Sequence, residues 1–303
     1  MAPTPDVAVR RFRIGVEPGF DLRLVAFSHG WVDLQPFGWS EPERALSVTV
    51  EVDRHGVDVV VRQGANGLSV VATSRRLLSA AQGARVRKLV THMLRLDDDL
   101  EPFWRVCADC SRLAWAARRR AGRILRGASV FEDLMKLLFT TNCSWAATKL
   151  MTARLVDALG TASPAGRAFP SPQACAAQDE AFYREVVRAG YRAKSCVALA
   201  RGFATGVLRD ASFTAPNLTT EEVRRRLLAL EGFGPYAAGQ AMRTLGHYRD
   251  LALDSWCRAR LTELLGSRRA PADRTVERRY AKYRPFEGLA MWLELTADWH
   301  APG

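Results

Sequence analysis

Two hydrophobic rhythms divide this chain of 303 residues. Up to about residue 80, apolar and polar positions alternate in short runs: Leu22-Arg23-Leu24-Val25, Leu46-Ser47-Val48-Thr49-Val50-Glu51-Val52, Val57-Asp58-Val59-Val60-Val61 and Leu68-Ser69-Val70-Val71-Ala72. Asp53-Arg54-His55-Gly56 and Gly64-Ala65-Asn66-Gly67 supply turn residues between them. A period of two with punctuated connections predicts an antiparallel sheet. Beyond it the period lengthens to that of amphipathic helices and keeps that length to the C-terminus. Ser129-Val130-Phe131-Glu132 is a capping-box pattern ahead of a helix with Phe131, Leu134, Leu138 and Phe139 on one side, and Thr219-Thr220-Glu221-Glu222 is a second such box. Strands followed by helices predict the α+β class, with an antiparallel β domain over 1–84 and a helical body over 85–303.

Charge adds a partner to this outline. The formal net charge is +12, and only five of the 44 basic residues are lysine. A guanidinium excess of this size points to a polyanion, nucleic acid before membrane. No apolar run reaches a membrane span, and the N-terminus has no signal-peptide core. Cys107, Cys110, Cys143, Cys175, Cys196 and Cys257 read as reduced thiols of a cytoplasmic protein, nucleoid-associated if bacterial. Cys107-Ala108-Asp109-Cys110 has no second pair, so a metal is not expected there. The runs Arg118-Arg119-Arg120 and Arg224-Arg225-Arg226 read as solvated helix faces.

Candidate chemistry concentrates between residues 220 and 254. Val223, Leu227 and Leu230 form one buried stripe of a helix that starts at the Thr219 cap and ends at Glu231-Gly232-Phe233-Gly234-Pro235. Two glycines permit a tight reversal, and Pro235 suits the first position of a second helix, which runs to Gly246. Ala237, Ala238, Gly239 and Ala241 let the helices approach closely. The reversal is either a plain helical hairpin or a site where free amides at a helix N-terminus hold a phosphate. Asp254 follows 20 residues after Gly234, ahead of another helical pattern in Cys257, Leu261, Leu264 and Leu265. It is a helix cap, or a carboxylate kept ionised by the helix dipole beside a cleft.

A helix-hairpin-helix followed at this distance by an isolated Asp resembles the helix-hairpin-helix DNA glycosylases, the superfamily of endonuclease III, 8-oxoguanine glycosylase and 3-methyladenine glycosylase II. Thr140-Thr141-Asn142, Phe169-Pro170-Ser171-Pro172-Gln173-Ala174 and Gly190-Tyr191-Arg192-Ala193-Lys194 are similar to landmarks of the 8-oxoguanine branch, in order. The N-terminal sheet is similar to the β domain shared by the 8-oxoguanine and 3-methyladenine enzymes. The resemblance covers nearly the whole chain and implies two helical subdomains with the active-site cleft between them, the hairpin lying at about 220–246.

It also implies roles. Asp254 matches the catalytic Asp that stabilises positive charge on the sugar as the base leaves. Bifunctional members carry a Lys nucleophile two residues after the second hairpin glycine; here that residue is Tyr236, which implies a monofunctional enzyme that leaves an abasic site. Tyr236 stacks on the extruded base, as an aromatic does in the 3-methyladenine branch, or closes the hairpin core. Asn142 matches the residue that fills the gap in the duplex, or caps a helix. Trp145 walls the base pocket or packs in a core, and Gln240, one turn after Tyr236, touches the base or is solvated. Gly232, Phe233 and Gly234, with Tyr191, Arg192 and Lys194, match DNA-backbone contacts; solvated charge is the alternative for the last pair.

The implied partner is double-stranded DNA with a damaged or modified base, bound by a monomer with no membrane. No cofactor is required. The four-Cys iron–sulfur loop of endonuclease III is missing, since only Cys257 follows Asp254, and a monovalent cation at the hairpin is the one ion left room for. The base is not identified: the aromatic at 236 leans to alkylated purines, and the Phe169 and Tyr191 landmarks lean to 8-oxoguanine. That mixture leaves open a hypermodified pyrimidine in phage DNA, such as a glucosylated one, excised as a defence. A non-catalytic DNA-binding hairpin protein is the reading from a different class.

Overall fold

The structure, a computed structural model, describes residues 7–300. Strands β1 (Ala8–Ile14), β2 (Phe37–Ser40), β3 (Ala45–Val52), β4 (His55–Gly64) and β5 (Gly67–Ser74) form one antiparallel sheet in the order β1-β5-β4-β3-β2. The alternation sets the register: Val48 faces Val59, and Val61 faces Val70. Leu46, Val48, Val50, Val57, Val59, Val61, Leu68 and Val70 are all buried.

Three sequence expectations change here. Leu22-Arg23-Leu24-Val25 is not a strand but the helix α1 (Leu22–Ala26), because Asp21 accepts from the amides of Arg23 and Leu24 and starts a turn. The two edge strands, β1 and β2, were not anticipated. In β1 the core-side positions hold Arg10 and Phe12, whose polarity pattern hides a strand. Arg10 lies over Gly83, where any Cβ would sit 2.7 Å from its Nε, and donates to Leu78 O at 2.7 Å.

The helices follow: α2 (Ala80–Met93), α3 (Glu101–Ala108), α4 (Ala114–Arg118), α5 (Val130–Thr140), α6 (Trp145–Leu159), α7 (Pro172–Ala176), α8 (Glu180–Glu185), α9 (Ala193–Ala204), α10 (Ala211–Thr214), α11 (Thr220–Leu228), α12 (Pro235–Leu245), α13 (Ser255–Leu264), α14 (Asp273–Tyr280) and α15 (Glu287–Leu295). Thr219 forms the anticipated capping box with Glu222. At α5 only half of the box exists. Ser129 accepts from Glu132 N, but the Glu132 carboxylate turns inward, to Ala128 N at 3.0 Å and Lys136 Nζ at 2.6 Å. The reason is burial: α5 is enclosed on every side from Val130 to Phe139, not amphipathic, so its charged residues must satisfy one another.

One core joins the sheet to α5, α9 and α12; a second joins α3 and α4 to α13, α14 and α15. Of the four apolar positions after Asp254, α13 buries Cys257 and Leu261, and Leu264 and Leu265 are exposed. The arginine runs are solvated only in part: Arg119 pairs with Asp21, Arg120 with Glu17 and Glu101, and Arg224 with Asp250, whereas Arg118 and Arg225 are exposed. All six cysteines are free thiols. Among the described residues no helix is long and apolar enough to cross a membrane, and no cluster of three or more His, Cys, Asp or Glu could hold a metal.

Between the cores, Asp133 Oδ1 accepts from Trp31 Nε1 at 2.6 Å and Gly127 N at 2.7 Å. Burial, with the Glu132 carboxylate beside it, pushes Asp133 up to about 7. The folded chain therefore keeps a proton that the unfolded chain releases near pH ~4. This group's contribution to stability is complete below about pH 4 and is lost as pH rises to about 7. Asp133→Asn keeps the Oδ1 acceptor and removes the titration. Its melting temperature relative to wild type should climb between about pH 4 and 7 by scanning calorimetry; a constant difference across that window would refute the assignment.

Candidate active site

The hairpin is shaped by its glycines. Gly232 has φ +85°, and a Cβ there would lie 2.6 Å from Ser195 Oγ and 3.0 Å from Leu138 Cδ2. Phe233 is buried and anchors the turn. Gly234 is the N-cap of α12 with open space beside it, and Pro235 takes the first helical position. A glycine cap has no side chain to satisfy the amides of the first turn, so those donors face outward for an external acceptor. The second helix ends as expected at Gly246, φ +94°.

Tyr236, Gln240, Arg243 and Thr244 recur at helical spacing along α12 and line one cavity of about 530 Å³. Asp254 lines the same cavity from the segment that follows α12. It is the N-cap of α13, its Oδ1 accepting from Cys257 N at 2.6 Å. The approach to Asp254 is clasped by two further glycines. A Cβ on Gly239 would lie 2.7 Å from Ala252 Cβ, and one on Gly288 would lie 1.9 Å from Asp250 O. Asp250 in turn accepts from Ala252 N at 2.9 Å, holding Ala252 at φ +48°. The small residues of α12 thus let the segment carrying Asp254 press against the helix.

Trp145 lines the cavity and is 38% exposed, so it belongs to a wall and not to a core. Its Nε1 donates to Asp33 Oδ2 at 3.2 Å, and its ring occupies the space that a Cβ on Gly30 would need. The phenol of Tyr236 donates to Thr140 Oγ1 at 3.4 Å, and burial raises its pKa, keeping it neutral. Gln240 accepts from Arg243 Nη1 at 2.8 Å.

The remaining predicted residues lie around the hairpin and outside the cavity lining. Asn142 follows the end of α5 at φ +45° and donates to Tyr191 OH at 3.2 Å; both residues are exposed. The cap of α5 is Thr141, not Asn142. Lys194 pairs with Glu231 at 3.0 Å, joining the start of α9 to the hairpin. Arg192 is placed otherwise than expected. It is buried, with Nε on Thr141 Oγ1 at 3.0 Å, Nη1 on Ala189 O at 3.2 Å and Nη2 on Thr141 O. Its guanidinium supports the turn after α5, with its face over the Tyr191 ring at 4.6 Å.

Sequence reasoning missed most of the aromatic wall. Five of the eight tryptophans line the cavity: Trp31, Trp145, Trp256, Trp292 and Trp299. The last three form a cluster with ring centroids 5.5 to 5.7 Å apart. The only local signal was Trp256, two residues after Asp254. His29 lines the cavity as a neutral imidazole, burial lowering its pKa to about 3, with Nε2–H donated to Leu125 O. Among the described lining residues Arg243 is the one permanent cation, and Asp33 and Asp254 are the carboxylates.

No family model and no curated sequence matches the chain. Solved structures do. The 3-methyladenine DNA glycosylase from Archaeoglobus fulgidus superposes with a TM-score of 0.74 at 17% identity, covering 96% of this chain and 100% of that one. The apo 8-oxoguanine glycosylase/lyase of Clostridium acetobutylicum gives 0.71 at 16% identity, covering 95% and 98%. The same enzyme with double-stranded DNA containing cytosine opposite 8-oxoguanine gives 0.69 at 16%, covering 93% of each chain. The agreement spans sheet and helical body together, and the chain therefore has the helix-hairpin-helix fold of the 8-oxoguanine and 3-methyladenine DNA glycosylases.

Proposed function

We propose that the protein is a monofunctional DNA glycosylase that extrudes a modified base from duplex DNA and hydrolyses its N-glycosidic bond. The observation that carries this reading is the placement of Asp254. A carboxylate fixed at a helix N-terminus faces an aromatic cavity that the helix leaving the glycine hairpin also lines. Loss of a base builds positive charge on the sugar, which a preorganised carboxylate stabilises while water attacks. Tyr236 and the tryptophans offer flat surfaces for the extruded base. The amides after Gly234, which no side chain caps, suit a backbone phosphate, and in this reading the exposed Asn142 enters the gap. Water is the nucleophile in this reading: no lysine lines the cavity among the described residues, and a phenol at 236 forms no imine. This separates the chain from the Clostridium relative, which is named a lyase as well.

A second reading has one observation in its favour. The cavity of about 530 Å³ is larger than a single flat nucleobase needs, and three clustered tryptophans border it. That room suits a base with a bulky polar substituent, such as a hypermodified pyrimidine of phage DNA.

Asp254→Asn separates an enzyme from a DNA-binding hairpin protein. Asn caps a helix about as well as Asp, so fold and binding should persist. Single-turnover base release from a panel of modified duplexes should fall by ~10²-fold or more. A rate within about threefold of wild type, against that expected loss, would return Asp254 to the role of a cap.

Borohydride should trap no covalent complex with substrate DNA, and strand breaks should appear only after alkali. Trapping by the wild-type protein at the rate of base release would overturn the monofunctional assignment.

Binding to unmodified duplex should weaken steeply with salt, since the +12 charge acts through phosphate contacts that release counterions. A flat plot of log K against log salt would contradict this.

A further inference from the structure

Arg243 has no assigned part in the chemistry above, and its surroundings are unusual. It lies two turns along α12 from Tyr236, is 3% exposed, and stacks its guanidinium on Trp292 at 4.3 Å. Nη1 is bonded to Gln240 at 2.8 Å, whereas Nε and Nη2 are buried without a hydrogen-bond partner among the described residues. Neither carboxylate of the cavity takes them: Asp33 accepts from Trp145, and Asp254 accepts from Cys257 N. Burial lowers the Arg243 pKa, and the neighbouring Cys257, Asp254 and Tyr236 oppose that shift. A guanidinium stays charged in such a place. A buried charged donor without an acceptor is costly, and its retention in the wall of a cavity calls for an acceptor brought by the ligand.

We propose that Arg243 determines which base the cavity accepts, by selecting bases that present two adjacent acceptors. This rests on reading the cavity as a base pocket. The Nε–H and Nη2–H of one guanidinium edge are parallel donors, matched by the O6/N7 edge of a 6-oxopurine. They are matched equally by O4 of a pyrimidine beside an oxygen on its 5-substituent. Adenine sets an amino donor against one of them, and 8-oxoguanine, protonated at N7, does the same. The inference therefore points away from both bases named in the fold relatives, toward 6-oxopurines, whose edge guanine shares with hypoxanthine, or 5-oxygenated pyrimidines. Trp292, its ring centroid 4.3 Å from the guanidinium carbon, restricts the fork on one side.

Binding of free bases tests this without requiring catalysis. Hypoxanthine, 5-carboxyuracil and adenine would be titrated to millimolar concentration against wild type, Arg243→Met, Arg243→Gln and Arg243→Lys. Quenching of the cavity tryptophans would be the readout. Wild type should bind hypoxanthine, 5-carboxyuracil or both roughly tenfold or more tighter than adenine, as expected for one bidentate pair. Met and Gln should abolish that preference, and Lys, a point donor without the fork, should restore part of it. The two acceptor-bearing probes distinguish a purine from a pyrimidine source. Equal binding of adenine, no binding of any probe, or a preference that survives in Arg243→Met or Arg243→Gln would overturn the proposal. The same variants would then be assayed for abasic-site formation on duplexes carrying hypoxanthine, 5-formyluracil, 8-oxoguanine or 3-methyladenine. Arg243-dependent binding with no abasic site in any duplex would refute the glycosylase reading and leave the role of Arg243 standing.

Discussion

A single carboxyl oxygen, Asp133 Oδ1, holds the site together. It takes one donor from Trp31, in the turn that also presents His29, Gly30 and Asp33 to the cavity, and another from Gly127, just before α5. The helix it sits on is buried all round, so neither partner has water as an alternative. Through these two buried bonds one atom ties both the 30–33 turn and the chain entering α5 to that helix, more narrowly than apolar packing would. The geometry then propagates: Gly30 leaves space for the Trp145 ring, Trp145 holds Asp33, and Thr140 at the far end of α5 meets Tyr236.

The opposite side of the cavity is set by close backbone approach. Gly239 and Gly288 let the 250–254 segment lie where any side chain on either would collide, and this brings Asp254 to the cap of α13. Asp254 thus has its orientation fixed by an amide of its own helix and needs no second side chain to aim it. The two sides are built differently, one by hydrogen bonds and the other by the absence of Cβ atoms. The cavity between them has little freedom to narrow.

What could be read from the sequence followed local rules. The hairpin, its caps at Thr219 and Gly246, and the cap at Asp254 each depend on residues within a few positions of one another. Tyr236 and Gln240 share a helix face by spacing alone. The strands β3, β4 and β5 were legible because a run of valine and leucine fills one of their faces; β1 was not, because the stem of Arg10 takes an aliphatic position there. The tryptophan wall draws on residues 31, 145, 256, 292 and 299, which no local pattern connects. Arg192 read as a DNA-backbone contact or a solvated charge, and Arg243 gave no local signal at all. Their burial is decided by what packs over them, Tyr191 in one case and Trp292 in the other.

The N-terminal sheet has no hydrophobic interior of its own. Its inner face and the helices of the hairpin belong to one core, with α5 in the middle. Removing the strands would therefore bare the apolar surface of α5 to water. Any shortened descendant would have to grow a substitute cover for α5 before the strands could be lost.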